Sequence, residues 1–285
     1  MVAALPMWRR TILVLASGAR ILGWFDHYLG PMTSSGQTAY AARASSGRGT
    51  MLIHTMFDLL AWPSAGLLGW WIGRRGWLAG FSARPRLQDN PWYFISLALG
   101  ALAGAVLFGS FNMNLAGLWT FGHSIAGAIA GGVVAIEIYK WLRGIRGSTG
   151  LPFVGPLALG IAVGRLGCFF AGLPDYTYGT ATHLPWGVDF GDGIRRHPVQ
   201  LYESAAMLLF LIFWLRALAT RETAIIRNGF YLFVAWYALQ RFAWEFLKPY
   251  PAIIGPFNLF HLICIALLAY SIFMIRGSHD LRAAV

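Results

Sequence analysis

Long apolar runs alternate along the chain with short polar connections, most of them basic. A helix needs about 20 mostly apolar residues to cross a bilayer, so this pattern predicts an all-α fold, a polytopic membrane protein with about seven transmembrane helices. The predicted helices lie at residues 51–73, 92–112, 115–139, 151–172, 201–219, 228–247 and 256–275. A further apolar stretch, residues 11–29, either spans the membrane or lies at its interface.

One connection differs from the others. Residues 173–200, between the fourth and fifth predicted helices, carry three aspartates, two arginines and two histidines among glycines and prolines. Long polar connections of this kind often carry function. Within the helices, the glycine pairs at 100 and 104, at 127 and 131, and at 160 and 164 have the spacing that allows close helix packing.

Composition supports the membrane class. The chain is 57% hydrophobic and 12% charged, which is too apolar for a soluble globule of 285 residues. Its net charge of +11 would suggest nucleic acid in a soluble protein. Here the basic residues follow the first, third, fifth and last predicted helices, so they predict a cytoplasmic side and argue against nucleic acid as a partner.

The same charge pattern predicts the topology. The C-terminus is expected in the cytoplasm, and residues 1–50 and the polar segment between helices four and five are expected outside. Arg9, Arg10, Arg43 and Arg48 oppose an external N-terminus, and a helix at 11–29 would move the first two inside. We therefore divide the chain into an N-terminal external or interfacial segment, 1–50, and a transmembrane domain, 51–285.

Arg165 and Cys168 lie one turn apart, late in the fourth predicted helix. An arginine within a span costs about 2.5–3.5 kcal/mol on insertion scales, so it is a functional candidate. Arg165 either reaches the interface or pairs with a carboxylate, or it binds a lipid phosphate with its planar donor fork. Cys168 and Cys264 both fall in apolar runs, so we expect no disulfide framework, and no motif predicts a metal or a cofactor.

Further polar residues mark the other helices. Tyr237, Arg241 and Glu245 follow each other at intervals of four and share one helix face. They form either a structural pair with a neighbour or the wall of a polar site. His123 lies in a glycine- and alanine-rich run, where a histidine is either a hydrogen-bonded structural residue or a base. Asp58 has His54 one turn away, and a half-buried pair explains both.

Three stretches together resemble one family. They are "GRLGCFFAG" at 164–172, "RRHPVQLYES" at 195–204 and "YALQRFAWEFLKP" at 237–249. In the same order and spacing they are similar to the "GRxGNFxNGE", "RHPxQLYE" and "YGxxRFxxEFxR" elements of the bacterial prolipoprotein diacylglyceryl transferase family. The resemblance covers about the last 170 residues, and it is specific because three independent elements agree in register.

The resemblance implies a seven-helix, multi-pass enzyme of the bacterial cytoplasmic membrane, with its N-terminus outside. Its partners would be phosphatidylglycerol, which donates a diacylglyceryl group, and the signal peptide of a preprolipoprotein, whose cysteine thiol accepts it. No cofactor or metal is implied. The residues that it implies are catalytic Arg165, Arg241, His123, Glu245 and Tyr237, and substrate-binding Arg196, His197, Gln200, Tyr202, Glu203 and Cys168.

The chain also departs from the family pattern. Cys168 stands where the family has asparagine, "AGL" replaces "NGE", and His123-Ser124-Ile125 is the counterpart of a histidine followed by two glycines. The family arginine of the second helix has no match. Two alternatives therefore stand beside the transferase: a paralogue that moves a lipid moiety to another acceptor, and a lipid-binding or transport protein without catalysis.

Overall fold

The computed structural model describes residues 55–81, 90–117, 119 and 121–283. The predictions for residues 1–50, including the stretch 11–29, and for His54 lie outside this part of the chain. The described residues are mostly helical. The helices are α1 (55–74), α2 (Pro91–Leu115), α3 (Ile125–Leu142), α4 (Val154–Ala171), α5 (Val199–Ala219), α6 (Thr223–Arg227), α7 (Gly229–Glu245) and α8 (Leu259–Ala283).

Five helical stretches in the described residues are long and apolar enough to cross a membrane. They are Pro91–Leu115, Ile125–Leu142, Leu151–Ala171, Val199–Ala219 and Leu259–Gly277. The third of them begins with a 3₁₀ turn, Leu151–Phe153, that leads into α4. These stretches agree with a polytopic membrane protein, and a helix occurs at each of the seven predicted positions.

Helices α2 and α3 form a closely packed hairpin. Each of Gly100, Gly104, Gly127 and Gly131 faces backbone atoms of the other helix, and a Cβ at any of them would collide with those atoms. Glycine is therefore required for this close approach. The predicted packing role of these two glycine pairs is confirmed. It is wrong for the pair Gly160 and Gly164 in α4, because a Cβ at Gly160 would make only an ordinary contact with Ala65 and one at Gly164 would meet nothing within 4 Å.

The predicted start of the third helix at residue 115 is wrong. Helix α2 continues through Leu115, and α3 begins only at Ile125, where the Ser124 side chain accepts a hydrogen bond from the Gly127 N–H and caps the helix. The Ser124 N–H donates to the Ala105 carbonyl at 3.1 Å, which holds the intervening segment against α2. Hydropathy shows that this segment is apolar, but it does not specify the backbone conformation.

The core lies between α4, α5, α7 and α8, with fully buried Met207, Trp214 and Phe233. Polar contacts also join the helices: the Ser204 hydroxyl donates to the Ala162 carbonyl at 2.8 Å, and the Trp236 indole donates to the Ala206 carbonyl at 3.0 Å. Because consecutive helices run antiparallel, the C-terminal ends of α4 and α7 meet the N-terminal ends of α5 and α8.

Two small antiparallel ribbons lie at this end of the bundle. Strands β1 (Val188–Asp189) and β2 (Arg195–Arg196) pair within the polar segment that precedes α5. Strands β3 (Ala252–Ile254) and β4 (Phe257–Asn258) join α7 to α8. The Thr180 N–H donates to the Leu247 carbonyl at 2.6 Å, so the polar segment is held against the connection after α7.

Candidate active site

Glu203 is the centre of a buried ionic cluster. It lies in the second turn of α5 and is 1% exposed. Its carboxylate contacts three cations: Arg165 from α4, with Nε 2.6 Å from Oε2, Arg241 from α7, through Nη1, and Lys248, with Nζ 2.9 Å from Oε1. One carboxylate therefore joins cations from two other helices and from the connection after α7.

The predicted stripe on α7 is confirmed as one buried face. Tyr237, Arg241 and Glu245 are each at most 3% exposed. Arg241 uses a second guanidinium nitrogen, Nη2, to contact Glu245 Oε1 at 2.5 Å. Arg241 is thus held between two carboxylates, one from its own helix and one from α5.

Asn258 connects the cluster to α8. Its side-chain N–H donates to Glu245 Oε2 at 3.0 Å. Its side-chain oxygen accepts from the N–H groups of Phe260 and His261, at 2.9 and 3.1 Å, at the start of α8. The residue that caps α8 therefore also fixes the carboxylate that holds Arg241.

The cluster carries more positive than negative charge. Its three cations, Arg165, Arg241 and Lys248, face two carboxylates, Glu203 and Glu245, which leaves a net charge of +1. Buried charges are tolerated only when they are paired. The single unbalanced charge makes this cluster suited to an anion.

Lys248 follows α7 directly and has a fully buried side chain. Burial lowers the pKa of its ammonium group to about 8, and the charge of Arg241 acts in the same direction. Sequence reasoning did not select Lys248 or Asn258 as site residues. The signal for Lys248 was present, because it lies three residues after Glu245 and so extends the polar face by one turn.

Arg165 and Cys168 are neighbours, as their spacing predicts. Arg165 Nη1 approaches the Cys168 sulfur at 3.8 Å, and both residues are buried. The Nε–H of Arg165 is not aligned for a hydrogen bond to Glu203 despite the short distance between them. Arg165 therefore interacts with Glu203 as a charge pair, and its Nε–H can still donate a hydrogen bond to a ligand.

Gln200 and Tyr237 carry buried polar groups without partners. Gln200 is 0% exposed, and neither its side-chain oxygen nor its nitrogen has a hydrogen-bond partner. The Tyr237 hydroxyl is also buried and unpaired. Such groups cost free energy when they are left unsatisfied, and native proteins retain them mainly where a ligand or water satisfies them.

The other predicted site residues of the stretch "RRHPVQLYES" have their contacts outside the ionic cluster. Arg196 forms a two-pronged ion pair with Asp192, at 2.6 and 2.7 Å, which lowers the pKa of that carboxyl. His197 is partly buried, and its backbone pairs with Gly179 and Thr180. The Tyr202 hydroxyl accepts a hydrogen bond from the Trp186 indole at 2.8 Å.

The structure places His123 apart from the buried residues. It lies in the non-helical segment before α3, and its side chain is exposed. The prediction that it lies inside the third helix is therefore wrong, whereas its chemical role stays a prediction. Among the described residues, no group of three His, Cys, Asp or Glu side chains is arranged to hold a metal ion.

Comparison with known proteins identifies a family. The sequence profile described as "Prolipoprotein diacylglyceryl transferase" matches residues 60–276. A phosphatidylglycerol–prolipoprotein diacylglyceryl transferase of Nitratidesulfovibrio vulgaris strain DP4 is 31% identical over 242 residues, covering 75% of this chain and 86% of that protein. The protein of the same name from Cupriavidus necator is 32% identical over 231 residues, covering 70% and 82%. No solved structure matches the chain significantly.

Proposed function

The chain belongs to the prolipoprotein diacylglyceryl transferase family, and from this premise we propose that it transfers a diacylglyceryl group from phosphatidylglycerol to the cysteine thiol of a preprolipoprotein. In this reaction the thiol passes its proton to solvent, and the sulfur attacks the carbon of the diacylglyceryl group whose oxygen is bonded to the phosphate. A carbon–sulfur bond forms, the carbon–oxygen bond breaks, and its electron pair leaves with glycerol phosphate. The observation that carries the proposal is the buried cluster with two arginines and one unbalanced positive charge.

Two arginines on one carboxylate suit this chemistry. Negative charge grows on the phosphate as the carbon–oxygen bond breaks, and fixed cations in a site of low dielectric stabilise that charge strongly. Arg165 and Arg241 present planar donor forks, which match phosphate oxygens in pairs. Glu203 holds both guanidinium groups, so we assign it the role of positioning them.

We propose that seven helices cross the bacterial cytoplasmic membrane, with the C-terminus in the cytoplasm and the N-terminus outside. The basic connections support this orientation. It puts the ionic cluster and the polar segment before α5 at the outer end of the bundle. Arg196, His197 and Tyr202 would then flank the site on the side from which the signal peptide of a preprolipoprotein arrives.

The proposal is tested by reconstituting the purified protein in vesicles that contain phosphatidylglycerol with a labelled acyl chain. A lipobox peptide is the acceptor, and the label on the peptide is measured. We expect Arg165→Ala and Arg241→Ala each to lower the transfer rate by at least about 100-fold, the loss typical of removing one transition-state donor. Complementation of a transferase-depleted bacterial strain provides the second readout.

Arg216→Ala is the matched control, because Arg216 is exposed in the last turn of α5, far from Glu203 along the helix. It removes the same charge from the same helical bundle and should leave transfer unchanged. Absence of transfer and of rescue by the unaltered protein would overturn the proposed function. Near-normal turnover by either arginine variant would overturn only the two-arginine mechanism.

A further inference from the structure

The unpaired amide of Gln200 indicates a part of the site that recognises more than a phosphate. A glutamine side chain has two N–H donors and one acceptor oxygen. In Gln200 this group is completely buried, and neither its nitrogen nor its oxygen is satisfied by the protein. A buried amide without partners is costly, whereas an apolar side chain of the same shape is not. Retaining the amide requires a partner that arrives from outside the protein.

The position of Gln200 identifies where this partner must lie. Gln200 is in the first turn of α5, three residues before Glu203, and both side chains are on the buried side of the helix. That side faces α4 and α7, because Glu203 contacts Arg165 and Arg241 there. The amide is therefore next to the ionic cluster, one turn nearer to the end of the bundle.

We propose that the Gln200 amide hydrogen-bonds to the hydroxyl groups of a polyol headgroup whose phosphate lies on Arg165 and Arg241, and so selects the lipid donor. The inference rests on the proposed function and adds the residue that distinguishes a glycerol headgroup from others. In the proposed orientation the acyl chains of a bound lipid lie in the bilayer, and its headgroup points to the outer end of the bundle. A group attached beyond the phosphate therefore extends toward the N-terminal end of α5, where Gln200 lies.

The chemistry of the amide decides which headgroups fit. A hydroxyl both donates and accepts, so it satisfies the oxygen and the nitrogen of Gln200 together. An ammonium headgroup only donates, which leaves the amide N–H groups unpaired, and the net positive charge of the cluster repels it. An alkyl headgroup satisfies neither atom. A site built to bind a hydroxyl rejects the analogue that lacks it, because its own polar groups are then left unpaired.

The experiment compares two donors of equal charge and similar length in vesicles, phosphatidylglycerol and phosphatidylpropanol, with a lipobox peptide as acceptor. For the unaltered protein we expect kcat/KM to be at least about 10-fold higher with phosphatidylglycerol. In Gln200→Met the two donors should be used equally well, through a loss on phosphatidylglycerol alone. The lipid-free variant should be at least as stable to heat in detergent as the unaltered protein, because an unpaired amide has been removed.

Gln240→Met is the matched control, since Gln240 is a buried glutamine on α7 whose amide nitrogen, unlike that of Gln200, already donates to the Tyr237 carbonyl, so that only its oxygen is unpaired. It should leave the ratio between the two donors unchanged. Equal use of both donors by the unaltered protein would overturn the inference, as would undiminished selectivity in Gln200→Met or a large loss of its stability. If the unaltered protein transfers from neither donor, the proposed function itself fails, which is a separate outcome.

Discussion

Replacing Glu203 by glutamine tests whether one carboxylate holds the ionic cluster together. The change keeps the shape of the side chain and removes one negative charge. Three cations would then face only Glu245, and the net charge of the cluster would rise from +1 to +2. Arg165 would lose its carboxylate partner, and Lys248 would keep only Glu245, whose Oε1 is 3.9 Å from Nζ.

The burial of these groups sets the size of the effect. The side chains of Arg165, Glu203, Arg241 and Lys248 are each at most 6% exposed, so solvent does little to screen their charges. Removing one partner of a buried pair leaves an uncompensated charge and costs about 3–5 kcal/mol. We therefore expect Glu203→Gln to lower the free energy of unfolding in detergent by about this amount, and to lower transfer through loss of arginine positioning.

The double variant Glu203→Gln/Lys248→Met separates pairing from other effects of the change. It restores the net charge to +1, so it should be more stable than Glu203→Gln alone, with a coupling energy of about 1–3 kcal/mol. The assay is reversible unfolding in mixed micelles, applied to the four proteins of the double-mutant cycle: the unaltered protein, Glu203→Gln, Lys248→Met and the double variant. Asp192→Asn is the control for removing a carboxylate from a solvent-exposed ion pair, and it should leave the free energy of unfolding nearly unchanged.

Additive effects in that cycle, within about 0.5 kcal/mol, would refute the pairing of Glu203 with Lys248. A Glu203→Gln protein as stable as the original would refute the larger claim that the cluster supports the fold. Loss of transfer without loss of stability would mean that Glu203 acts in the transfer reaction and does not stabilise the fold. Each outcome is read from the same four proteins.

Two further predictions concern the neighbours of Glu203. Below a pH of about 8 the Lys248 ammonium is charged and balances Glu203, whereas above this pH the amine is neutral. The unaltered protein should therefore lose transfer activity as the pH rises through about 8, compared with Lys248→Arg, which stays charged. Parallel pH profiles of the two proteins would contradict this. Cys168→Ser and Cys168→Asn should keep near-normal transfer if the sulfur only packs beside Arg165, whereas a large loss measured in the same peptide assay would assign the thiol a direct role.

Sequence patterns predicted the local part of the site. The stripe of Tyr237, Arg241 and Glu245 was found because helical geometry fixes which residues share a face. The positions of the helices followed from apolar length, since the bilayer sets a minimum span. Each of these properties depends only on residues that are close together in the chain.

The pairing between helices was not predictable in the same way. Arg165 was expected to snorkel, to pair with a carboxylate or to bind phosphate, and only the packing of α4 against α5 identifies Glu203 as its partner. Lys248 was missed because a lysine just beyond a helix end is typical of the membrane interface, where it needs no partner. His123 was misplaced because an apolar run does not reveal where a helix is interrupted.

The same contacts that make the cluster stable also limit what it can bind. Glu203 and Glu245 neutralise most of the positive charge, and Asn258 ties one of them to the start of α8. If both carboxylates were removed, three buried cations would repel one another and the helix ends would separate. If a third carboxylate were added, no net positive charge would remain to bind a phosphate. A net charge of +1 is the arrangement that keeps four helix ends together and still attracts a singly charged phospholipid headgroup. Further selectivity must then come from uncharged groups, and Gln200 is placed beside the cluster to supply it.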